Sequence, residues 1–568
     1  MKPIKHHPKA ETIMKAMFKG YGPNFKFETP EELMEAVDAT QEDILRLKEP
    51  FPARGRYRNS TDFLSEVTSG YALGRKRYYL FAKRLIAFAH LMENYQGIHR
   101  GKKIIPKITP EDEKRLLELG GDIHSDILAE ILEKVADNDT AAYADAFKIL
   151  IYTHMPHLAP YIEAVHNPDT SEDNWGNVVG LTLSELVFGH TVSAYISFCQ
   201  QLLDYVDLHK ETKIWEVLEM STDGNIFLLP AFTHWQAATN STHAKKIITS
   251  VKQIVELLFE LKEGLVFKPF GGKFGGITGT YDAHFALYPD IDWFAHGREY
   301  IESLGLHYES MVNQSVSYAR EAQHLRTLCN INAQIIKFAN DFRFLVSCPG
   351  QFFVKKLVPG RKGSSSNPGK TNLWNFEGAV KLLRKSNVLF NFLATELQDY
   401  TQEGDMGRSV LMRDIGTDFS STFIALDRLK RELKGCVPNP ENIHRFLENY
   451  PSLCMSTMQY VLKREHYQGD AYREMQNMLI NPDGSYTTRA EFMPRFEKFM
   501  EEANFSSELC DELRSNMDPI KLVRPIQNKV MEEMGSLRVR LAELRETQIR
   551  TPSLREYFKK QKKVERRL

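Results

Sequence analysis

The chain has 568 residues, with 73 basic and 74 acidic side chains and a formal net charge of −1. Apolar residues make up 42% and charged residues 26%, ordinary values for a globular protein, so a largely disordered chain is excluded. At roughly 100–200 residues per domain, the length predicts three or four domain-sized units. The balanced charge argues against a dedicated nucleic-acid binder, whose affinity would come mainly from neutralising phosphates.

No apolar run approaches the roughly 20 residues that a membrane-spanning helix needs. The N-terminus is basic but lacks the apolar core of a signal peptide. The six cysteines are scattered, with no Cys-x-x-Cys pair: Cys199, Cys329, Cys348, Cys436, Cys454 and Cys510. This pattern predicts reduced thiols in a cytosolic protein, without a structural zinc or a disulfide framework.

Helical spacing dominates the chain, and strict alternation of apolar and polar residues is rare. Apolar residues recur with helical spacing in five stretches: 183–205, 247–261, 376–400, 417–434 and 530–544. Thr109-Pro110-Glu111-Asp112 is typical of a helix start, and Gly264 of a helix stop. The pattern predicts an all-α fold in which long central helices form a bundle.

Loops rich in Pro, Gly and polar residues separate these stretches, at 97–110, 166–176, 229–241, 271–292 and 359–372. They predict four units in chain order. These are a polar leader (1–45), an N-terminal helical domain (46–159), a central helical-bundle domain (160–439) carrying the loop 359–372, and a C-terminal helical domain (440–568) with a basic tail.

The loop 363–372 reads Gly-Ser-Ser-Ser-Asn-Pro-Gly-Lys-Thr-Asn. A phosphate-binding P-loop has four residues between its first Gly and the Gly-Lys, whereas five separate Gly363 from Gly369, and no buried strand precedes the loop. A flexible linker is the simple alternative. However, a long apolar helix follows at once, and a loop that leads into a helix N-terminus offers N–H groups to an anion.

Other patterns have structural explanations when taken singly. His234 lies between Phe232 and Trp235, as a packed histidine would. Thr170-Ser171-Glu172-Asp173 fits a helix cap, and the glycine-rich run 275–284 fits a packed turn. His154 and His157 lie three residues apart without a carboxylate or thiolate pattern, so we expect no metal site there.

The order of these signals resembles the fumarase/aspartase superfamily and, within it, the adenylosuccinate lyases. The Gly-Ser-Ser loop with Lys370 and Asn372 resembles the superfamily signature. Thr233-His234 followed by Gln236 resembles the general-acid motif. The run from Gly272-Lys273 to Asp292-Trp293 resembles adenylosuccinate lyases more specifically than it does the other members of the superfamily. The resemblance covers roughly residues 50–480.

The resemblance implies an enzyme that eliminates fumarate from adenylosuccinate, giving AMP, and from the succinylated imidazole carboxamide nucleotide of purine biosynthesis. Such chemistry needs a base for a carbon-bound proton, an acid for the leaving nitrogen and groups that hold a carboxylate. By the match, Ser364 is the base, His234 the acid, and Glu377 the residue that orients this His. Lys370 and Asn372 hold a substrate carboxylate.

The same match implies the remaining substrate contacts. They are Arg56 and Tyr57 at the nucleotide end, Thr170 and Ser171, Thr233, Gln314, and a phosphate clamp of Ser409 and Arg413. An arginine suits a phosphate because its planar fork donates two hydrogen bonds at once. No metal or cofactor is implied.

Several positions depart from the family pattern. The family's Asn-His-Asp falls on Asn138-Asp139-Thr140, so its second active-site His is Asp139 here. The arginine that helps to hold the succinyl end is Gly404. Smaller departures are Asn367 for Met, Leu373 for Pro and Trp235 for Gly.

The nucleotide end is therefore better kept than the succinyl end, which leaves two interpretations open. In one, the enzyme cleaves a succinylated nucleotide and residues from elsewhere replace the lost cation. In the other, it keeps the nucleotide site but acts on another substrate, or is a catalytically weakened nucleotide-binding or structural relative.

The resemblance also implies a three-domain fold whose long central bundles assemble into a homotetramer with a 20-helix core. Active sites in this family combine residues of three subunits. The expected ligand is a small nucleotide in the cytoplasm, with neither nucleic acid nor membrane as a partner.

Overall fold

The computed structural model describes residues 48–95, 107–209, 227–267, 269–347, 351–356, 358 and 362–547. Four parts of the chain lie outside the described residues: the polar leader, most of the basic loop 97–110, the stretch 210–226 and the basic tail.

The N-terminal part is helical. Its elements are α1 (Arg58–Thr61), α2 (Ser65–Thr68), α3 (Gly70–Asn94), α4 (Pro110–Glu118), α5 (Ile123–Ala136) and α6 (Asp139–His154), with 3₁₀ segments at Asp62–Leu64 and Pro156–His166. The predicted start of α4 is confirmed, because Thr109 and Asp112 form a reciprocal capping box. The Asn138 side chain accepts the N–H of Ala141 and caps α6, which places Asp139 at the first position of that helix.

The central part is a bundle of long helices. Its elements are α7 (Ser171–Ser184), a π-helical segment Glu185–Val192, α8 (Ser193–His209), α9 (His243–Phe267), α10 (Asp282–Leu287), α11 (Trp293–Ser303), α12 (Ala319–Val346), α13 (Trp374–Glu396), α14 (Gly407–Arg413) and α15 (Ile415–Gly435). Helix α12 packs on α13 and α9, and α13 packs on α15. The helices expected from the apolar spacing are confirmed.

Gly264 does not end its helix, so that prediction was wrong. Helix α9 continues to Phe267. A Cβ at Gly264 would lie 2.7 Å from Cε1 of His324 on α12. The glycine therefore serves the close approach of two helices, a role that its sequence neighbours do not reveal.

Residues 229–241, expected as a loop, form a β-hairpin instead. Strands β1 (Leu228–Thr233) and β2 (Gln236–Thr242) pair antiparallel, with Thr233 opposite Gln236. The turn residues His234 and Trp235 have φ of 50° and 64°, the left-handed conformation that two-residue hairpin turns require. Neither residue is a glycine, so the usual sequence signal of such a turn is missing.

Two further strand pairs are short. Strand β3 (Gly271–Gly272) pairs parallel with β4 (His307–Tyr308). Strand β5 (Phe353–Lys355) pairs antiparallel with β6 (Cys436–Pro438). They fasten loops to the bundle and leave the described chain mostly helical.

The C-terminal helices form a second, smaller core. The elements are α16 (Pro440–Asn449), a 3₁₀ segment Pro451–Cys454, α17 (Met455–Arg464), α18 (Ala471–Leu479), α19 (Arg489–Glu502), α20 (Ser507–Ser515) and α21 (Pro519–Glu546). Helices α17 to α20 bury their own apolar cluster, which includes Met458, Phe492 and Phe496.

Helix α21 leaves this cluster and returns to the central bundle. Its predicted apolar stripe, Val530 to Leu544, is buried against the main core, and α21 packs on α9 and α8. The last helix thus contributes to the central bundle, although the sequence division places it in a C-terminal domain. Among the helices of the described ranges, none is both long and apolar enough to cross a membrane.

Candidate active site

The loop that precedes α13 holds Ser364 in a tight turn. The Ser364 Oγ accepts the backbone N–H groups of Ser366 at 3.4 Å and Asn367 at 3.3 Å. Donors directed at an oxygen favour its anionic form. The N–H of Asn372 donates to the carbonyl of Gly363 at 3.3 Å and closes the loop. The turn therefore favours a proton-accepting hydroxyl at Ser364, whose side chain is partly exposed.

The end of this loop is tied to helix α15. The Nζ of Lys355 donates to the carbonyl of Asn372 at 3.1 Å and pairs with the buried carboxylate of Glu432. The amide of Asn375 donates to the same carboxylate. Lys370 is exposed on the loop. The structure thus fixes the backbone at Asn372 and leaves the Lys370 ammonium free to reach a ligand.

Glu377, in the first turn of α13, pairs with an arginine. Its Oε1 lies 3.0 Å from Nη2 of Arg343 on α12, and both side chains are about half exposed. The resemblance assigns Glu377 to His234, but within the described part of one chain no hydrogen bond joins these two residues.

His234 lies at the exposed tip of the β1–β2 hairpin, beside Thr233, which is also exposed. The neighbouring Trp235 places its ring 5.2 Å from the ring of Phe344, nearly perpendicular to it. Arg343, which pairs with Glu377, directly precedes Phe344 in α12. The same end of α12 therefore contacts both Glu377 and the tip of the hairpin. The imidazole of His234 therefore faces solvent or a second molecule.

Asp139 joins two arginines from distant parts of the chain. Its Oδ2 lies 2.6 Å from Nη2 of Arg77 and 2.7 Å from Nη2 of Arg413. Arg77 also donates to the hydroxyl of Thr140, and its guanidinium lies over the ring of Trp175 at 4.5 Å. Helices α3, α6 and α14 therefore meet at this carboxylate.

Burial by itself would raise the pKa of Asp139, but the charges of Arg77 and Arg413 outweigh it and lower the pKa below its ordinary value. Asp139 is therefore ionised near neutral pH. In place of the family's histidine, the chain has a fixed anion that positions the proposed phosphate-binding Arg413.

The predicted cap at Thr170 is confirmed by its capping box with Asp173, and it fixes Thr170 and Ser171, which the resemblance assigns to substrate binding. The N–H of Thr170 donates to Asp173 Oδ2 at 2.8 Å. The buried Asp173 also pairs with the buried Lys273 at 2.9 Å and accepts the N–H of Gly275 at 2.9 Å. The glycine-rich run therefore folds over the start of α7 and fixes the place of Ser171.

Glu172, between the cap and this ion pair, has an unusual environment. Burial raises its pKa to about 7, although the positive charges of Arg408, Lys273 and Arg77 oppose the shift. A carboxyl group that is partly protonated near neutral pH therefore lies next to Ser171.

Gln314 and Gly404 touch each other. The N–H of Gln314 donates to the carbonyl of Glu403 at 2.9 Å. A Cβ at Gly404 would lie 2.7 Å from Oε1 and 2.9 Å from Cβ of Gln314. The Gln314 side chain therefore fills the space beside Gly404, the position that the resemblance assigns to a family arginine. Ser409 follows on α14 and is buried.

The residues before α1 border a cavity of about 510 Å³. Three arginines line it, Arg54, Arg58 and Arg413, together with three carboxylates, Glu49, Asp62 and Asp414, and Arg58 pairs with Asp62 at 3.0 Å. Tyr57 points to α15 instead, because its hydroxyl accepts Nη2 of Arg428 at 3.1 Å. Arg56 is exposed and does not line the cavity.

Comparisons with known proteins agree with the helical architecture. A family profile described as Lyase matches residues 217–384. The adenylosuccinate lyase of Dictyostelium discoideum is 26% identical over 421 residues, which are 73% of this chain and 84% of that protein. The adenylosuccinate lyase of Escherichia coli K12 is 22% identical over 420 residues, which are also 73% of this chain and 84% of that protein.

Solved structures superpose over most of the chain. A fumarate lyase from Mesorhizobium sp. BNC1 gives a TM-score of 0.60 at 14% identity and covers 84% of this chain and 97% of that one. A 3-carboxy-cis,cis-muconate lactonizing enzyme from Pseudomonas putida gives 0.58 at 17% identity, with coverages of 85% and 96%. The lyase profile and the similarity to adenylosuccinate lyases support a divergent member of the fumarase/aspartase superfamily. The predicted fold class is thereby confirmed.

The superfamily residues fall into separate groups within one chain. Arg413 and Asp139 are joined directly, and Gln314 lies against Gly404. Ser364, Lys370 and Asn372 share one loop, whereas His234 lies on the hairpin. Among the described residues, no three His, Cys, Asp or Glu side chains are grouped as metal ligands.

The sequence analysis missed several arginines of this chain. They are Arg77, Arg343, Arg408 and Arg428. Each contacts a candidate site residue or lies next to one, but the partners are distant along the chain. No local motif marks them, because an ion pair between two remote helices leaves no spacing in the sequence.

Proposed function

We propose that this lyase eliminates fumarate from adenylosuccinate, giving AMP, and from the succinylated imidazole carboxamide nucleotide. The proposal rests on the two backbone N–H groups that donate to Ser364 Oγ. They favour the alkoxide form of this serine, and an alkoxide is a strong enough base to remove a carbon-bound proton. The similarity to adenylosuccinate lyases over 73% of the chain supports this choice of substrate.

The reaction divides between an acid and a base. The Ser364 alkoxide removes a proton from the carbon next to a substrate carboxylate, and Lys370 and Asn372 hold that carboxylate as negative charge builds on it. The electron pair forms the new C=C bond as the C–N bond breaks. The imidazolium of His234 then gives its proton to the leaving nitrogen. Fumarate and the nucleotide are released.

The nucleotide phosphate is assigned to Arg413 and Ser409. Arg413 borders the cavity together with Arg54, and these two guanidinium groups can donate to a phosphate there, whereas Arg58 is paired with Asp62, and Glu49 and Asp414 also line the cavity. Asp139 holds the Arg413 guanidinium from one side, and that group keeps N–H donors for a phosphate. Thr170, Ser171, Thr233, Gln314, Arg56 and Tyr57 complete the proposed contacts.

A complete site requires more than one subunit. His234 is exposed at a hairpin tip and Glu377 is bound to Arg343, so the acid lacks its expected partner within the described part of one chain. A homotetramer in which the hairpin of one subunit meets the loop of another would unite them.

The direct test is ultraviolet absorbance with each succinylated nucleotide in a separate cuvette. We expect the succinyl-purine absorbance to fall while AMP and fumarate appear. Ser364→Ala should lower kcat by about two decades or more, because the base is lost. Ser365→Ala, on the neighbouring exposed serine, is the matched control and should keep kcat within a factor of about two. Equal rates for wild type and Ser364→Ala would refute the role of Ser364.

The shared site has its own test. Inactive Ser364→Ala and His234→Ala chains are mixed, dissociated and reassembled. If the base and the acid of one site come from different subunits, some mixed sites carry neither substitution and activity returns. Mixtures that stay inactive, although both chains assemble normally, would contradict the shared architecture.

A second candidate function follows from the altered succinyl end. Gln314 fills the space beside Gly404, the position assigned to a family arginine, and Asp139 stands at the position assigned to a histidine. Both changes affect the proposed succinyl end and leave the proposed nucleotide contacts in place. They are therefore compatible with an enzyme that acts on a nucleotide carrying another acid, or with a nucleotide-binding relative that has lost catalysis. That outcome would appear as no turnover of either nucleotide while AMP still raises the melting temperature.

A further inference from the structure

Arg408 is a buried arginine whose guanidinium has an unused hydrogen-bond donor within the described ranges. Its side chain is 6% exposed, and its Nη1 is buried and forms no hydrogen bond. Within the described ranges no carboxylate lies at ion-pair distance from it. Burying a guanidinium away from water is unfavourable unless an anion or hydrogen-bond acceptors compensate. Glu172 is the carboxyl on which the charge of Arg408 acts most clearly, and because its pKa is about 7, it compensates this cation only in part.

Aromatic rings hold this guanidinium in place. It lies over the ring of Tyr400 at 4.2 Å and over that of Tyr318 at 5.6 Å. Cation–π contacts orient an arginine but leave the N–H groups in its plane without acceptors. A planar anion such as a carboxylate matches that edge, because two parallel N–H groups can bind its two oxygens.

The surroundings of Arg408 are candidate substrate contacts. Ser409 is the next residue. Gly404 precedes Arg408 by four residues and lies against Gln314. The charge of Arg408 also acts on Glu172, the neighbour of Ser171. These residues place Arg408 beside the position at which the family has its arginine for the succinyl end.

We propose that Arg408 binds a carboxylate of the substrate's acid moiety and so replaces the cation missing at Gly404. An arginine at 404 would collide with Gln314, so the chain supplies the guanidinium from four residues further on. Arg408 thereby sets the specificity for a dicarboxylate leaving group. This inference rests on the proposed function for the identity of the acid, but not for the existence of the carboxylate site.

The test measures the binding of two product classes separately. The ligands are three dicarboxylates (fumarate, succinate and malate) and, separately, AMP. Isothermal titration calorimetry measures the affinity of each ligand for wild type, Arg408→Met and Arg408→Lys. We expect Arg408→Met to weaken dicarboxylate binding about tenfold or more while AMP affinity stays within about twofold. Arg408→Lys should bind dicarboxylates with intermediate affinity, because it keeps the positive charge but loses the two parallel N–H donors of the guanidinium.

Thermal unfolding of the ligand-free variants separates binding from a structural role. Arg408→Met loses no ion pair but loses the cation–π contacts with Tyr400 and Tyr318, whereas Arg408→Lys keeps a cation there. We expect both variants to unfold cooperatively close to the melting temperature of wild type, so that a lower dicarboxylate affinity reports binding and not misfolding. Arg473→Ala, on an exposed arginine of α18, is the control and should change neither affinity.

Each outcome decides the inference. Unchanged dicarboxylate binding in Arg408→Met, a loss confined to AMP, or a wild type that binds none of the three acids would overturn it. Arg408-dependent binding of a dicarboxylate by a wild type that does not turn over adenylosuccinate would uphold the carboxylate site and refute the proposed substrate. The two proposals can therefore fail independently.

Discussion

Asp139 and Arg413 form a 2.7 Å ion pair between two helices that lie 274 residues apart in sequence. The same carboxylate binds the buried Arg77. At the position that the resemblance assigns to a histidine, the chain thus has an anion that stays charged and holds two cations. These contacts give Asp139 a positioning role at the proposed phosphate end of the site.

Asp139→Asn should destabilise the fold, because it leaves Arg77 buried without a counterion. We expect the free energy of unfolding near pH 7 to fall by about 1.5–3 kcal/mol. Since the folded-state pKa of Asp139 lies below its ordinary 3.8, this stabilisation is complete above that value and is lost as pH falls through the folded pKa. Urea unfolding at several pH values measures it.

Asp145→Asn, on an exposed carboxylate of the same helix, is the matched control and should have little effect. A similar loss in both variants would mean that the contacts to Arg77 and Arg413 do not matter.

Restoring the family arginine at position 404 should not restore a family site. In Gly404→Arg the new Cβ would collide with Gln314, and we expect a loss of about 1–3 kcal/mol in the free energy of unfolding. The KM of any confirmed substrate should rise as well, because Gln314 moves. Gly535→Ala, on α21 with open space around it, is the control and should be neutral or stabilising. A stable and faster Gly404→Arg enzyme would contradict this account.

The turn of the hairpin makes Trp235 sensitive to the shape of its replacement. At a φ of 64°, a β-branched side chain is strained, so Trp235→Val should lower the free energy of unfolding by about 1–2 kcal/mol from the backbone alone. Thr239→Val places the same new side chain on the extended strand β2 and should cost much less. Differential scanning calorimetry of the two variants tests the difference, and equal melting temperatures would exclude backbone strain as the cause.

Glu172 should make stability depend on pH near neutrality. Burial raises its pKa to about 7 from an ordinary 4.5, so its contribution to stability is full below about pH 4.5 and is lost as pH rises through about 7. Glu172→Gln, which cannot ionise, should therefore gain stability relative to wild type between about pH 5 and pH 8. Urea midpoints at both values measure the gain.

Glu118→Gln, on an exposed side chain of α4, is the control for this prediction and should show no such trend. If Glu172→Gln follows wild type at every pH, the carboxyl is ionised in the folded chain and its environment is more polar than its burial indicates.

The helical class and most of the long helices could be predicted from the spacing of apolar residues along the chain. Val530 to Leu544 and Ile247 to Leu261 carry the spacing of one buried helix face, and that spacing acts locally along the chain. The capping pattern at Thr109 likewise fixed the start of α4. The order of the motifs indicated the superfamily and the loop that holds Ser364.

The surroundings of those residues, in contrast, depend on how remote parts of the chain pack together. The hairpin at His234 and Trp235 has no glycine signal, and Gly264 continues its helix because His324 of another helix approaches it closely. The partners of Asp139, the collision at Gly404 and the unused donor of Arg408 all depend on helices far apart in sequence. Spacing along a chain records local periodicity, whereas charge pairing and close approach are set by how distant elements pack.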